Sequence, residues 1–131
     1  MVKESYVDFD TAKLLKEKGF DEECRGFFHT AFESPRLSTW NIDRKNSDYK
    51  ECVSSPTYQM VMAWLRAKHN IMVEIYLPHE YEHEEEIWDG KYCFELFSLT
   101  NGHSIFWDET EYSTYEDAVE AACVYSLENL I

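Results

Sequence analysis

Two different spacings of apolar residues occur along the chain, and they constrain the fold more than any other feature of the sequence. In one stretch the apolar side chains recur at the intervals of a single helix face: Tyr58, Val61, Met62 and Leu65. In residues 71–77 the interval is two, which predicts a half-buried strand with an inward face of Ile71, Val73, Ile75 and Leu77. The chain therefore needs a fold in which short helices and short strands share one core.

The first helix is predicted over residues 10–18. Asp8 or Asp10 can cap it, because a carboxylate accepts hydrogen bonds from the free amides of the first turn. Gly19 follows the segment, and glycine readily takes the left-handed conformation that ends many helices.

Two further helices are predicted in the middle and at the end of the chain. One starts at Ser55-Pro56, since serine caps free amides and proline loses no needed donor in the first turn. It stops before Asn70, which suits a left-handed cap. The other runs from Tyr115 to the C-terminus, behind a capping box that begins at Ser113.

Four more stretches are rich in strand-forming residues: 26–32, 36–42, 91–99 and 104–107. A turn near Ser34-Pro35 separates the first two of them. Asn101-Gly102 separates the last two, and both residues accept the positive φ of a type I′ turn, so a tight two-residue hairpin is predicted. Residues 43–54 are polar and are predicted to form a loop.

These elements follow the order α-β-β-α-β-β-β-α in one domain, residues 1–131. Short connections between successive strands favour antiparallel pairing, whereas a doubly wound parallel sheet needs regular alternation of strands and helices. The predicted fold is therefore α+β, with an antiparallel sheet of about five strands and three helices mainly on one face.

The chain is strongly acidic, because 12 Lys and Arg stand against 26 Asp and Glu, for a formal net charge of −14. Six of the acids crowd residues 79–89, a stretch without Lys or Arg. Such a field repels phosphates and anionic lipids and attracts basic surfaces. We therefore predict no direct binding to nucleic acid or membrane, and an unidentified protein partner for which a basic surface is the natural complement.

The same stretch contains H-E-x-x-H, the spacing used by zinc hydrolases. On a helix, His79 and His83 would hold the metal one turn apart, and Glu80 would act as the base for the bound water. Glu86 or His103 would then be the third ligand.

Three arguments weigh against this zinc site. The motif follows a strand and Pro78, a helix there would lack an apolar side, and its clustered carboxylates disfavour closing a helical turn. A solvated acidic loop over residues 79–89 is the favoured interpretation, so no metal is predicted and the hydrolase stays an alternative.

A water-facing loop would present its side chains to a partner. The predicted interaction residues are Glu82, Glu84, Glu85, Glu86 and Trp88. An exposed indole at the end of the loop would anchor such a contact, although burial against the 91–99 strand is the simpler expectation for it.

Other chemistry is poorly supported by the sequence. Cys24 and His29 could be a nucleophile and its base, but no third group to orient them is evident. The four cysteines contain no C-x-x-C pair, and we predict reduced, mostly buried thiols. The phosphate-cradling glycine motifs are missing, so no cofactor is predicted. The first residues contain no signal-peptide core, which favours a cytoplasmic location.

Three segments carry a resemblance to a known family: residues 9–22 (FDTAKLLKEKGFDE), 56–69 (PTYQMVMAWLRAKH) and 114–122 (TYEDAVEAA). In this order they resemble a family of small uncharacterised proteins carried by phages and mobile elements of gut Bacteroidales. The resemblance spans nearly the full chain and brings no catalytic residues. It implies a cytoplasmic location in a bacterial host and a variable segment after the central strand.

The sequence thus favours a non-enzymatic accessory protein that acts by contact with another protein. One alternative is an acidic mimic of nucleic acid that occupies the groove of a DNA- or RNA-binding protein. The other alternative is the zinc-dependent hydrolase built on His79, Glu80 and His83.

Overall fold

The computed structural model describes the backbone of residues 5–82 and 85–131 and the side chains of residues 5–78 and 88–131. Its helices are α1 (Phe9–Glu17), α2 (Tyr58–His69), α3 (Tyr115–Asn129) and a short 3-10 helix (Asn46–Asp48). Its strands are β1 (Cys24–His29), β2 (Ser38–Arg44), β3 (Cys52–Ser54), β4 (Ile71–Tyr76), β5 (His79–Glu82), β6 (Glu85–Trp88), β7 (Cys93–Ser98) and β8 (Ser104–Trp107).

The α+β class and the three helices are confirmed, but the single sheet of about five strands is wrong. The strands form a first sheet in the order β2-β1-β3, a second sheet in the order β4-β7-β8, and a separate β5-β6 hairpin, all antiparallel. The division arises partly because β3 lies inside the predicted loop and pairs with β1. No strand pair joins the two larger sheets within the described residues.

Each long helix begins at a capping side chain. Asp8 accepts from the amide of Thr11 at 2.8 Å, as predicted. For α2 the predicted cap is wrong, since Thr57 accepts from Met60 and the buried hydroxyl of Ser55 donates instead to the carbonyl of Val7. The predicted left-handed end at Asn70 is confirmed, with φ 55°.

The cap of α3 also differs from the prediction. Thr114, and not Ser113, accepts from the amide of Asp117 at 3.0 Å. Thr114 can act as the cap because its backbone is extended just before the first helical residue. Its hydroxyl therefore reaches the amide of the residue three positions later.

The predicted hairpin at Asn101-Gly102 is confirmed as a β7–β8 pairing, but its two-residue turn is wrong. Residues 99–103 connect the strands, and only Gly102 of this connection has positive φ. The Gly102 amide donates to the Ser98 carbonyl, and the Asn101 side chain accepts from the amide of His103. Asn101 therefore stabilises the turn through its side chain, without a left-handed backbone.

The core lies between the helices and the second sheet. Helices α2 and α3 pack on β4, and α3 also packs on β7. The largest fully buried side chains are Phe20, Leu15, Leu65, Leu96 and Leu127. The longest helix has 15 residues, and no helix within the described ranges combines the length and hydropathy of a bilayer-crossing segment.

Gly26 holds the first sheet against the rest of the chain. A Cβ at this position would overlap the carbonyl oxygen of Ser55 and lie 2.8 Å from Cδ1 of Tyr6. Only glycine fits here, because the strand backbone approaches its neighbours too closely for any side chain.

Candidate functional site

One face of the second sheet points away from the helices. The alternation of β4 and β7 sends Val73, Phe94 and Leu96 into the core, where each is less than a tenth exposed. The other side, here called the outer face, carries Met72, Glu74, Tyr76, Glu95, Phe97 and Trp107, together with Cys93 and Ser104, the register partners of Tyr76 and Phe97. Trp107 is 55 per cent exposed and Met72 is 36 per cent exposed, so aromatic and aliphatic groups on this face contact water.

A row of three side chains crosses the middle of the outer face. Glu74 pairs with Glu95 in the register of β4 and β7, and Glu95 pairs with Trp107 in the register of β7 and β8. Cross-strand neighbours stand on the same side of a sheet, and two like charges in this relation are destabilising. The ion pairs of the described residues, Lys13–Asp10 and Arg25–Asp43, include neither glutamate.

The indole of Trp107 is held in place although it is exposed. Its Nε1–H donates to the hydroxyl oxygen of Tyr76, across the sheet. Burial raises the pKa of Tyr76, so its phenol stays protonated at neutral pH. The hydrogen bond limits the rotamers of both side chains and presents a rigid aromatic surface beside the two glutamates.

Further carboxylates lie near the Tyr76 end of the outer face. Cys93 pairs with Tyr76 in the register, and burial is the main cause that raises the pKa of its thiol. A hydrogen bond with Tyr76 lowers that pKa, while repulsion from the carboxylates of Glu111, Asp108 and Asp89 raises it. The outer face therefore has the carboxylates of Glu74 and Glu95 at its centre, with apolar and aromatic side chains beside them.

The whole net charge of the protein arises in the part of the chain that builds this sheet. Residues 70–131 contain 15 Asp and Glu, one Lys and no Arg. Residues 1–69 contain 11 acidic and 11 basic residues and are formally neutral. The negative field is thus concentrated on the second sheet, its hairpin and α3, and is not spread over the molecule.

The prediction of a loop over residues 79–89 is wrong, because the backbone of residues 79–82 and 85–88 forms strands. Residues 79–82 and 85–88 form the β5–β6 hairpin, in which Glu80 pairs with Ile87 and Glu82 pairs with Glu85. The chain leaves β4 and returns into β7, its neighbour in the second sheet, so this hairpin continues from the end of that pair of strands. Pairing between extended strands satisfies backbone groups that a loop would leave to water.

The H-E-x-x-H motif begins on β5, with His79 and Glu80 in extended backbone. Zinc ligands four residues apart meet on successive turns of a helix, and the described start of the motif is not helical. His83 and Glu84 lie outside the described residues. His103, offered as a third ligand, lies in the β7–β8 connection. Within the described side chains, no three His, Cys, Asp or Glu groups converge as metal ligands.

Trp88 stands at the end of the hairpin and is 43 per cent exposed. Its indole N–H donates to the carbonyl of Lys91 at 2.7 Å, and its ring meets Tyr92 edge to face at 5.7 Å. The expected burial is therefore only partial. The other predicted interaction residues with a described backbone, Glu82, Glu85 and Glu86, lie on the two hairpin strands.

Cys24 and His29 do not form a nucleophile and base. They lie five residues apart on β1, and strand geometry sends their side chains to opposite faces. Burial raises the pKa of the Cys24 thiol, which donates to the carbonyl of Gly26. The ring of His29 instead packs edge to face on Phe32, 5.5 Å away. The predicted burial of Cys93 and Cys123 is confirmed, and Cys24 and Cys52 are buried as well.

The glutamate pair on the outer face was missed by sequence reasoning. The alternation in residues 71–77 does place Glu74 opposite the buried side chains. It does not reveal that Glu95 is its neighbour, because that depends on the register between β4 and β7.

Comparisons of the chain with protein-family models, with curated proteins and with solved structures find no match. The resemblance to the family of small phage-carried proteins therefore stays a prediction. The function is inferred from the geometry of the site.

Proposed function

We propose that this protein is a binding module that docks a basic partner protein on the outer face of its second sheet. The observation that carries the proposal is the exposed, hydrogen-bonded Trp107, which stands beside two glutamates that form no salt bridge with any described residue. Aromatic anchors at the centre of a patch with a polar rim are typical of protein interfaces.

The charge supports a basic partner over a second copy of the same chain. Two copies would each bring a net charge of −14 and a pair of glutamates on the outer face, and would repel each other. A basic partner is instead attracted before contact. Its cations then meet the two carboxylates at the centre of the face, and its apolar groups meet the aromatic side chains beside them.

A selection from a displayed library of random peptides tests this function without knowledge of the natural partner. We expect the selected peptides to combine Lys or Arg with apolar residues, and to bind more weakly as salt rises from about 20 to about 300 mM. In the variant Trp107→Ser the affinity should decrease about tenfold or more.

Ile42→Ser provides a matched control, since Ile42 is an equally exposed apolar residue on β2 of the first sheet. Selected peptides should bind this variant as they bind the wild type. Selection of peptides without basic residues, or equal losses in both variants, would contradict the proposal.

The concentration of charge also favours a second candidate, the acidic mimic of nucleic acid. The 15 acids of residues 70–131 could occupy the phosphate-binding groove of another protein. Such a mimic depends on the number of its charges and not on the indole. Peptide binding that follows ionic strength steeply but is indifferent to Trp107→Ser would support the mimic against the docking surface.

A further inference from the structure

The row Glu74–Glu95–Trp107 combines two carboxylates with an aromatic ring, and these groups together can bind one planar cation. We infer that it holds the guanidinium of an arginine side chain of the partner, between the two carboxylates and against the indole. The inference rests on the proposed function and adds to it the identity of the anchoring residue and the site that holds it.

The negative charge of the glutamate pair is not balanced by an ion pair within the described residues. Glu74 and Glu95 are direct cross-strand neighbours, and no lysine or arginine of the described residues forms a salt bridge with either. Residues 70–131 contain Lys91 as their one basic residue, and its ammonium lies beside the hydroxyl of Ser113. Within the described residues no ion pair offsets the repulsion between the two carboxylates, and a cation from a partner would relieve it.

The row also matches a guanidinium. Neighbouring cross-strand side chains start about 5 Å apart. At that spacing the two carboxylates can accept from different N–H groups of one planar fork. Trp107, the next residue in the row, offers the aromatic face on which arginine stacks well and lysine less well.

The indole is fixed before a ligand arrives, and the row suits a guanidinium better than a metal ion. The bond from Trp107 to Tyr76 fixes the indole before a ligand arrives, which lowers the entropy cost of binding. A calcium ion needs about six to eight oxygen ligands. The oxygen ligands on the described outer face are fewer: the two carboxylates, the phenol of Tyr76 and the hydroxyl of Ser104.

Affinity for a blocked hexa-arginine peptide at low salt tests the inference. We expect Glu74→Gln and Glu95→Gln each to weaken binding about tenfold, as loss of a charge-assisted hydrogen bond does. Trp107→Leu should weaken it about fivefold. A hexalysine peptide should bind the wild type less tightly than hexa-arginine and should lose less in Trp107→Leu.

Glu128→Gln is the matched control. It removes one charge from the same acidic part of the chain, but Glu128 is exposed near the end of α3, which packs on the opposite side of the sheet. The control should change the affinity less than twofold, as expected for a distant, screened charge. Equal losses in Glu74→Gln and Glu128→Gln, or no binding of hexa-arginine to the wild type, would overturn the inference.

The two proposals fail in different ways. In one outcome, the library selects basic sequences whose binding depends on Trp107 while the glutamate variants behave like the control. That result would support the docking surface and contradict the arginine site. If the library selects peptides that are indifferent to Trp107→Ser, the docking surface itself falls.

Discussion

The first sheet and the second sheet use charge in different ways. Around the first sheet, cations serve the fold: the ammonium of Lys16 donates to the carbonyls of Tyr49 and Cys52, and Arg25 pairs with Asp43. Around the second sheet the acids have almost no cations beside them, and two of them share the middle of an exposed apolar face. Side-chain cations therefore take part in the described contacts of the first sheet, whereas the described ion pairs leave the carboxylates of the outer face for a partner.

The polar interior shows the same contrast. In the first region the buried side chain of Asn46 donates to the carbonyl of Phe20 and accepts from the amide of Ser54, both at 2.8 Å. The interior side of the second sheet is apolar, and its polar residues are on the outer face. Substitutions should therefore cost stability in the first region and change binding in the second.

The largest expected effect is that of Gly26→Ala. The added Cβ would overlap the Ser55 carbonyl and crowd the ring of Tyr6, so β1 must shift from its neighbours. We expect a loss of about 3 kcal/mol in the free energy of unfolding, measured with urea. Thr39→Ala is the control, because exposed Thr39 is the register partner of Gly26 on β2, and its effect should be below about 0.5 kcal/mol.

Asn46→Ala should be the next in size. The substitution leaves the Phe20 carbonyl and the Ser54 amide without their partner inside the protein, at a cost of about 2 kcal/mol. Asn41→Ala on the exposed part of β2 changes the same residue type without a buried hydrogen bond. Similar urea midpoints for these two variants would contradict the assignment of Asn46 as the polar link of the first region.

Alkaline pH should weaken both regions, since burial raises the pKa of thiols in each: Cys24, Cys52, Cys93 and Cys123. Burial raises the pKa of Cys123 from 9.0 to about 12. Above pH 9 the unfolded chain releases this proton and the folded chain keeps it. Stability is therefore complete below pH 9 and decreases as the pH rises towards 12, with about 1.4 kcal/mol lost at pH 10 from this thiol alone.

Urea unfolding at pH 7, 9 and 10 measures this loss, and Cys123→Ala should reduce it. Cys52→Ala provides the comparison, because the Cys52 thiol lies in the first sheet and the positive charge of Lys16 offsets part of the rise that burial causes in its pKa. A pH profile that Cys123→Ala leaves unchanged would show that other groups control the alkaline loss.

The smallest expected change in stability is a gain. Glu74→Gln removes the repulsion from Glu95 and should raise the free energy of unfolding by about 0.5 kcal/mol, while it weakens peptide binding. Double-mutant analysis with Glu95→Gln should show that the two gains are not additive, because either substitution removes the same repulsion. A loss of stability in Glu74→Gln would mean that this glutamate has a structural partner.

Periodicity predicted the elements better than it predicted their arrangement. The apolar spacing of 58–65 and the alternation of 71–77 depend on local geometry, and both gave the observed element. Strand β3 was missed because it has three residues, and its burial depends on pairing with β1. The division into two sheets is a matter of long-range pairing, which no local pattern records.

The candidate site shows the same limit. Charge alone predicted a basic partner and an interaction site in residues 79–89, where six acids are clustered in the sequence. The pair Glu74 and Glu95 is 21 residues apart in the chain and becomes adjacent only through the register of β4 and β7. The apolar surroundings and the bond from Trp107 to Tyr76 likewise depend on the folded sheet.

The central claim is that the outer face of the second sheet, and not the first sheet, meets a basic partner. Chemical-shift mapping by NMR with the hexa-arginine peptide tests it most directly. The account predicts the largest shifts at the amides of Glu74 and Glu95 and at the indole N–H of Trp107, with β1 and β2 unchanged. Shifts confined to the β5–β6 hairpin, or spread equally over both sheets, would contradict it.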